Sequence, residues 1–260
     1  MPGAMGLREG RHTPRTPGAP APSPASSTTP ARHRDYDNAF WDGQQMVFGD
    51  GDGVYFASFT DCVDVVGHEL THGLTQLTAG LTYVARSGAL NESISDAFGV
   101  LTKQHALGQT AAEADWLIGA GLFTAKVRGI ALRSMKAPGT AYDDPHLGKD
   151  RQPASMSGYQ DLSHDDAGDN GGVHINSGIP HRAFYLVADA LGGHAWERAG
   201  QIWWDTLLGV NGPALPKDCD FATFARHTLT AATERYGARS REVDAVPEAW
   251  RTVEVTSARP

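Results

Sequence analysis

Apolar and polar residues alternate with a different rhythm in different parts of the chain, and the rhythm predicts the elements. Residues 1–34 run through Pro, Ser, Thr, Ala and Arg with no apolar period, so they offer no face able to offset the entropy of ordering. A disordered tail is expected there. From Asp35 the stretch DYDNAFWDGQQMVFGDGDGVYFASF alternates aromatic or aliphatic residues with polar ones between Gly-Asp punctuation. That period of two reads as two strands joined by a tight turn, a β portion over residues 35–63.

Beyond residue 63 the period lengthens. Val65, Val66, Leu70, Leu74 and Leu77 recur at helical spacing and stop at Gly80, which predicts one helix. Leu90, Ile94, Ala97, Phe98 and Leu101 predict a second, with Gly88 just before its start. Lys136 to Gly172 is rich in Asp, Gly, Pro and Ser and reads as loop. It leads into SGIPHRAFYLVADALGG, where Pro180 suits a first helical turn and Gly192-Gly193 an end. Three further amphipathic segments, AWERAGQIWWDTLL, FATFARHTLTAATERYG and REVDAVPEAWRTV, complete a mainly helical region over residues 64–258. The fold class expected is α+β, a short β portion followed by a mainly helical domain.

Composition narrows the function classes. With 260 residues, 20% charged and 40% hydrophobic, the body of the chain can bury a core. The net charge of −8 is spread out with no Lys/Arg block, which argues against nucleic acid as a partner. No apolar run is long enough for a membrane span. Two cysteines, Cys62 and Cys219, fit two buried thiols better than a disulfide framework.

The chemistry is concentrated in His68-Glu69-Leu70-Thr71-His72. Residues four apart share a helix face, so both imidazoles can address one ion with Glu69 beside them. Alone, the motif could be a surface helix with two ordinary histidines. A catalytic zinc needs a third protein ligand and an open position, and Glu92 on the second helix supplies the carboxylate. Asp96, one turn on, is placed to take a hydrogen bond from the outer nitrogen of a zinc-bound histidine.

These blocks resemble the thermolysin-like neutral metalloproteases. DNAFWDGQQMVFGDGDG, DVVGHELTHGLT, TAGLTY, SGALNESISDAFG, LRSM and DNGGVHINSGIP stand in that family's order between Tyr36 and about Val255. The resemblance implies a zinc-dependent endopeptidase with His68, His72 and Glu92 as ligands and Glu69 as general base. It implies that Asp96 and Asn91 orient His68 and His72, and that Tyr83 and His174, the latter held by Asp169, donate to the oxyanion. It further assigns Asn38 and Ala39 to the strand that pairs with substrate, Arg133 to the primed side of the cleft, and Phe56, Phe59, Val65 and Leu132 to a pocket for a bulky hydrophobic residue after the cut. Polypeptides are the implied partners, with a propeptide or inhibitor from outside this chain as a further one.

The chain also departs from the family. Asp64 is kept from the calcium-binding acids, but Lys103, Leu117, Ala120 and Ile130 stand at the other positions, so calcium is not carried over. The loop DPHLGKDRQPASMSGYQDL and GIPHRAFYLVA look more like the protealysin branch. No counterpart of the family's β-rich N-terminal lobe or propeptide precedes Asn38, which suggests a truncated or misassigned N-terminus. Family resemblance implies secretion, yet no signal peptide is visible and cytoplasmic retention stays open. The alternative function is a catalytically weak or inactive zinc-binding remnant that binds peptides or a partner.

Overall fold

The computed structural model describes residues 36–210 and 212–256. The expected tail, residues 1–34, lies outside the described residues. The fold is α+β and mainly helical, as the rhythm predicts. Strand β1 (Ala39–Trp41) pairs antiparallel with β2 (Met46–Phe48), Phe40 opposite Val47. Asp42 makes the turn by accepting from the backbone N–H groups of Gln44 (2.8 Å) and Gln45 (2.7 Å). The hairpin leans on the first helix, where the Trp41 indole N–H donates to Gln76 Oε1 at 2.8 Å.

Helices α1 (Val63–Leu77) and α2 (Ala85–Leu107) pack side by side. Two glycines permit the close crossing: a Cβ on Gly99 would stand 2.3 Å from the Asp64 carbonyl oxygen, and one on Gly67 would stand 3.0 Å from Gly99 Cα. Helix α2 starts earlier than its apolar period suggests. Gly88 lies inside it and not before it, and packing accounts for the glycine, since a Cβ there would stand 2.4 Å from Val173 Cγ1. On α1 the apolar period overstates burial, for Leu70 and Leu77 are exposed, Leu77 at 82%.

Short pairs β3 (Leu117–Ile118) with β4 (Arg133–Ser134), and β5 (Asp143–Asp144) with β6 (Gly148–Lys149), shape the loops that follow. Then come α3 (Asp169–Asn176), α4 (Gly178–Leu191), α5 (Ala199–Leu208), α6 (Phe221–Tyr236) and α7 (Arg241–Thr252). The Asp220 carboxylate caps α6 through Thr223 N–H and the Ser240 hydroxyl caps α7 through Val243 N–H.

Two apolar cores result. The larger gathers α2, α4, α5, α6 and α7 around Trp116, Phe184, Trp203, Phe224 and Trp250. The smaller joins Ala39, Phe56, Phe59, Cys62, Val65 and Leu122. Helix α2 is buried along most of its length although Asn91, Glu92, Ser93, Ser95 and Asp96 are polar. Buried polar groups need partners, and Asn91, Ser95 and Asp96 find theirs in the histidines of α1. No described helix is long and apolar enough to cross a membrane.

Candidate metal centre and active site

His68 and His72 project from one face of α1 towards α2. The Nδ1 of His68 lies 2.6 Å from Asp96 Oδ1, and the Nδ1 of His72 lies 2.9 Å from Asn91 Oδ1. Burial alone would raise the Asp96 carboxyl, but Arg133, His68 and His181 around it hold it well below the usual carboxylate range. An ionised acceptor makes His68 Nδ1 a donor, and the amide oxygen of Asn91 does the same for His72. Each Nε2 is then left with a lone pair.

Those lone pairs face each other 2.9 Å apart. Glu92 closes the group, Oε1 lying 3.4 Å from His72 Nε2 and Oε2 3.6 Å from His68 Nε2. Two lone pairs and a carboxylate so close repel unless a cation stands among them, and Glu92 Oε2 is buried without a hydrogen-bond partner. Tetrahedral donors about 2.0–2.1 Å from zinc would be about 3.3 Å apart, in the range of these separations. The donor set therefore fits the ion, and these three residues are the one group among the described residues able to hold a metal.

Tyr83 and His174 flank Glu92. The Tyr83 hydroxyl donates to Glu92 Oε1 and lies 3.3 Å from His174 Nε2, which is 3.5 Å from Glu92 Oε1. Burial would lower the His174 pKa, but Glu92 and Asp169 outweigh it and raise the group to about 9. Asp169 grips His174 twice, accepting from its backbone N–H at 2.9 Å and meeting Nδ1 at 2.6 Å. The segment reaches this shape through consecutive left-handed residues, Asp169, Asn170, Gly171 and Gly172, with φ of 55°, 50°, 86° and 77°. Asn, Asp and Gly are the residues that tolerate such backbone. Helical geometry begins only at Val173.

Glu69 is buried on α1 beside the histidines. Arg133 on β4 sends Nε to Asp96 Oδ2 at 2.6 Å and Nη2 to Asp96 Oδ1 at 2.8 Å, and also lines the adjoining pocket. Phe56, Phe59 and Leu132 line that pocket; Val65 is not among its lining residues and packs with Phe56 and Phe59 in the smaller core. Asn38 and Ala39 are buried at the start of β1, with Asp37 at the pocket wall. Phe123, Tyr142, Leu147 and Gln152 also line it and had no sequence signal, because they come from irregular stretches without an apolar period, and Ile175 of α3 joins them. Gln152 donates to the His174 carbonyl oxygen at 2.8 Å.

Residues 79–255 match the description "Thermolysin metallopeptidase, alpha-helical domain" and residues 18–76 "Thermolysin metallopeptidase, catalytic domain". The chain belongs to the thermolysin family. Within this family it is 57% identical over 222 residues to an extracellular metalloprotease of Pectobacterium carotovorum subsp. carotovorum, covering 85% of this chain and 61% of the relative. To a thermolysin of Alicyclobacillus acidocaldarius subsp. acidocaldarius it is 39% identical over 229 residues, covering 85% and 38%. The solved precursor of protealysin, a metalloproteinase from Serratia proteamaculans, superposes with a TM-score of 0.80 at 60% identity, covering 85% of this chain and 66% of that one. The chain thus lies near protealysin in the thermolysin family, and it spans 61% or less of the length of these curated relatives. The cofactor that goes with the family and fits His68, His72 and Glu92 is zinc.

Proposed function

We propose that this chain is the catalytic portion of a zinc-dependent endopeptidase that hydrolyses polypeptides before bulky hydrophobic residues. One observation carries the reading: the convergence of His68, His72 and Glu92 with Tyr83 and His174 beside a pocket walled by Phe56, Phe59 and Leu132. Residues 35–63 form the edge of the cleft and residues 64–258 the catalytic domain.

When bound, zinc supplies Lewis acidity that polarises the scissile carbonyl and makes water acidic near neutral pH. His68, His72 and Glu92 hold the ion, and Asp96 and Asn91 fix the two imidazoles. Glu69 takes the proton of the attacking water on a carboxylate oxygen and passes it to the leaving amine. Tyr83 O–H and His174 Nε2–H donate to the carbonyl oxygen as charge gathers there, each lowering the barrier by about 3 kcal/mol. Asp169 keeps the donor nitrogen of His174 turned to the cleft. Strand β1, which begins at Ala39 just after Asn38, presents the side turned away from β2 to an extended substrate, and Arg133 orients the primed side. No covalent enzyme intermediate is needed, and the chain carries no GxSxG elbow.

Relatives named as extracellular support action outside the cell, and the likeness to a protealysin precursor supports control by a propeptide. Incubation of the purified chain with casein, with and without a zinc chelator, tests the activity. Internal cleavage that a chelator abolishes and added zinc restores is the expected result. Zinc bound without cleavage would overturn the activity and favour a peptide-binding remnant.

A further inference from the structure

His181 plays no part in the proposed reaction, yet it is fully buried beside the metal centre's support. It lies on α4, 0% exposed, between Ile179 and Ala183, which belong to the larger core. Packing alone would favour an apolar side chain there. Its Nε2 stands 3.0 Å from Asp96 Oδ2 in a short contact that is off the ideal hydrogen-bond line.

An ionised carboxylate offers about four acceptor positions; hydrogen bonds fill three of those on Asp96, and His181 Nε2 stands in short contact at the fourth. Oδ1 meets His68 Nδ1 at 2.6 Å and Arg133 Nη2 at 2.8 Å, and Oδ2 meets Arg133 Nε at 2.6 Å and His181 at 3.0 Å. His181 Nδ1 has no partner among the described residues. A proton there would be a buried, unsatisfied donor and would turn the Nε2 lone pair against a carboxylate, so the Nε2–H form is the one that fits.

We propose that His181 is a positioning residue for the zinc site, its Nε2–H and Arg133 together fixing the plane of the Asp96 carboxylate so that Oδ1 stays on His68 Nδ1. Three elements meet at Asp96: α1 through His68, β4 through Arg133 and α4 through His181. Outer partners of this kind set ligand orientation and hence metal affinity. The inference rests on the zinc centre described above.

The test compares His181→Leu, which removes the donor, with His181→Gln, which keeps an N–H. Zinc dissociation constants from chelator competition should weaken about 10-fold for His181→Leu and stay within about threefold for His181→Gln. In an Asp96→Asn background, His181→Leu should add little. The visible spectrum of the cobalt-substituted protein should shift with His181→Leu and not with His181→Gln, a signature that loss of packing alone does not give. Should His181→Leu fail to fold, imidazole nitrogen NMR of the unsubstituted zinc-loaded protein decides: a proton on His181 Nε2 supports the role and a bare Nε2 overturns it. Unchanged zinc affinity in a folded His181→Leu variant also overturns it. An unsubstituted chain that binds no zinc overturns the metal centre, and this role with it.

Discussion

Single side chains divide here into those that would hold the ion and those that would act beside it, and substitution separates the two. Glu69→Gln keeps size and polarity but cannot accept a proton. Its zinc content, measured on dialysed protein, should equal that of the unsubstituted chain, while the turnover number falls by about 10²–10⁴-fold. Comparable turnover would remove Glu69 from the role of base. The two thiols give a different expectation. Cys62 and Cys219 are free and buried, 6% and 1% exposed. Burial first, then Asp64 and Asp61, push Cys62 up from about 9 to about 11, and burial with Asp220 pushes Cys219 up to about 12. Between the unfolded value near 9 and these folded values the native state holds protons that the unfolded state has released. Their contribution is whole below pH 9 and declines as pH rises towards 11–12, by at most about 1.4 kcal/mol per pH unit for each thiol. Urea unfolding of Cys219→Ala and the unsubstituted chain from pH 8 to pH 11 should show the shallower alkaline decline in the variant; parallel slopes would contradict this.

Between elements, the crossing of α1 and α2 organises the site, and a lysine secures its far end. The Lys103 ammonium lies 3.2 Å from Asp64 Oδ2, 2.9 Å from Asp115 Oδ1 and 2.6 Å from the Leu117 carbonyl oxygen. The position read in sequence as hostile to calcium thus places a fixed cation against Asp64, 2% exposed, which also accepts from Val65 and Gly119 N–H groups. Lys103→Met leaves that buried carboxylate with backbone donors only. It should destabilise the fold by about 3 kcal/mol, the low end for breaking a buried pair, because those donors remain. Urea denaturation measures it, and a loss under 1 kcal/mol would show the clamp to be ornamental. The helices around this crossing were legible because each keeps an apolar period over many residues. Gly88 misled because it resembles a helix boundary, and only Val173, far along the chain, explains its place inside α2. The left-handed run before His174 has no period at all, and read as loop for that reason. The clustering of His68, His72 and Glu92 was legible through helical spacing and family likeness. The approach of His181 to Asp96 was not, for it depends on how α4 packs on α2.

At the scale of the whole molecule, the pocket opens where the smaller core meets the loops that carry β4, β5 and α3. Its apolar wall comes from Phe56, Phe59, Phe123, Leu132 and Leu147, and its polar side from Arg133, Gln152, Asp169 and His174. Such a wall gains from buried area but discriminates weakly, by about 1–3 kcal/mol per methylene. Cleavage should therefore fall before Leu, Ile and Phe with no sharp choice among them. Leu132 is the residue to alter, since it lines the pocket without touching the metal centre's hydrogen bonds. Leu132→Ala widens the wall and should move preference towards Phe, while Leu132→Phe narrows it and should favour Leu or Val. Arg133 behaves differently because its guanidinium also holds Asp96. Arg133→Ala should depress cleavage of every substrate and weaken zinc binding by about 10–100-fold, leaving the order of preferred residues unchanged. Mass spectrometry of casein digests reads both outcomes: cuts gathered before charged residues, or a preference that follows Arg133 and ignores Leu132, would mean that the apolar wall does not choose the substrate.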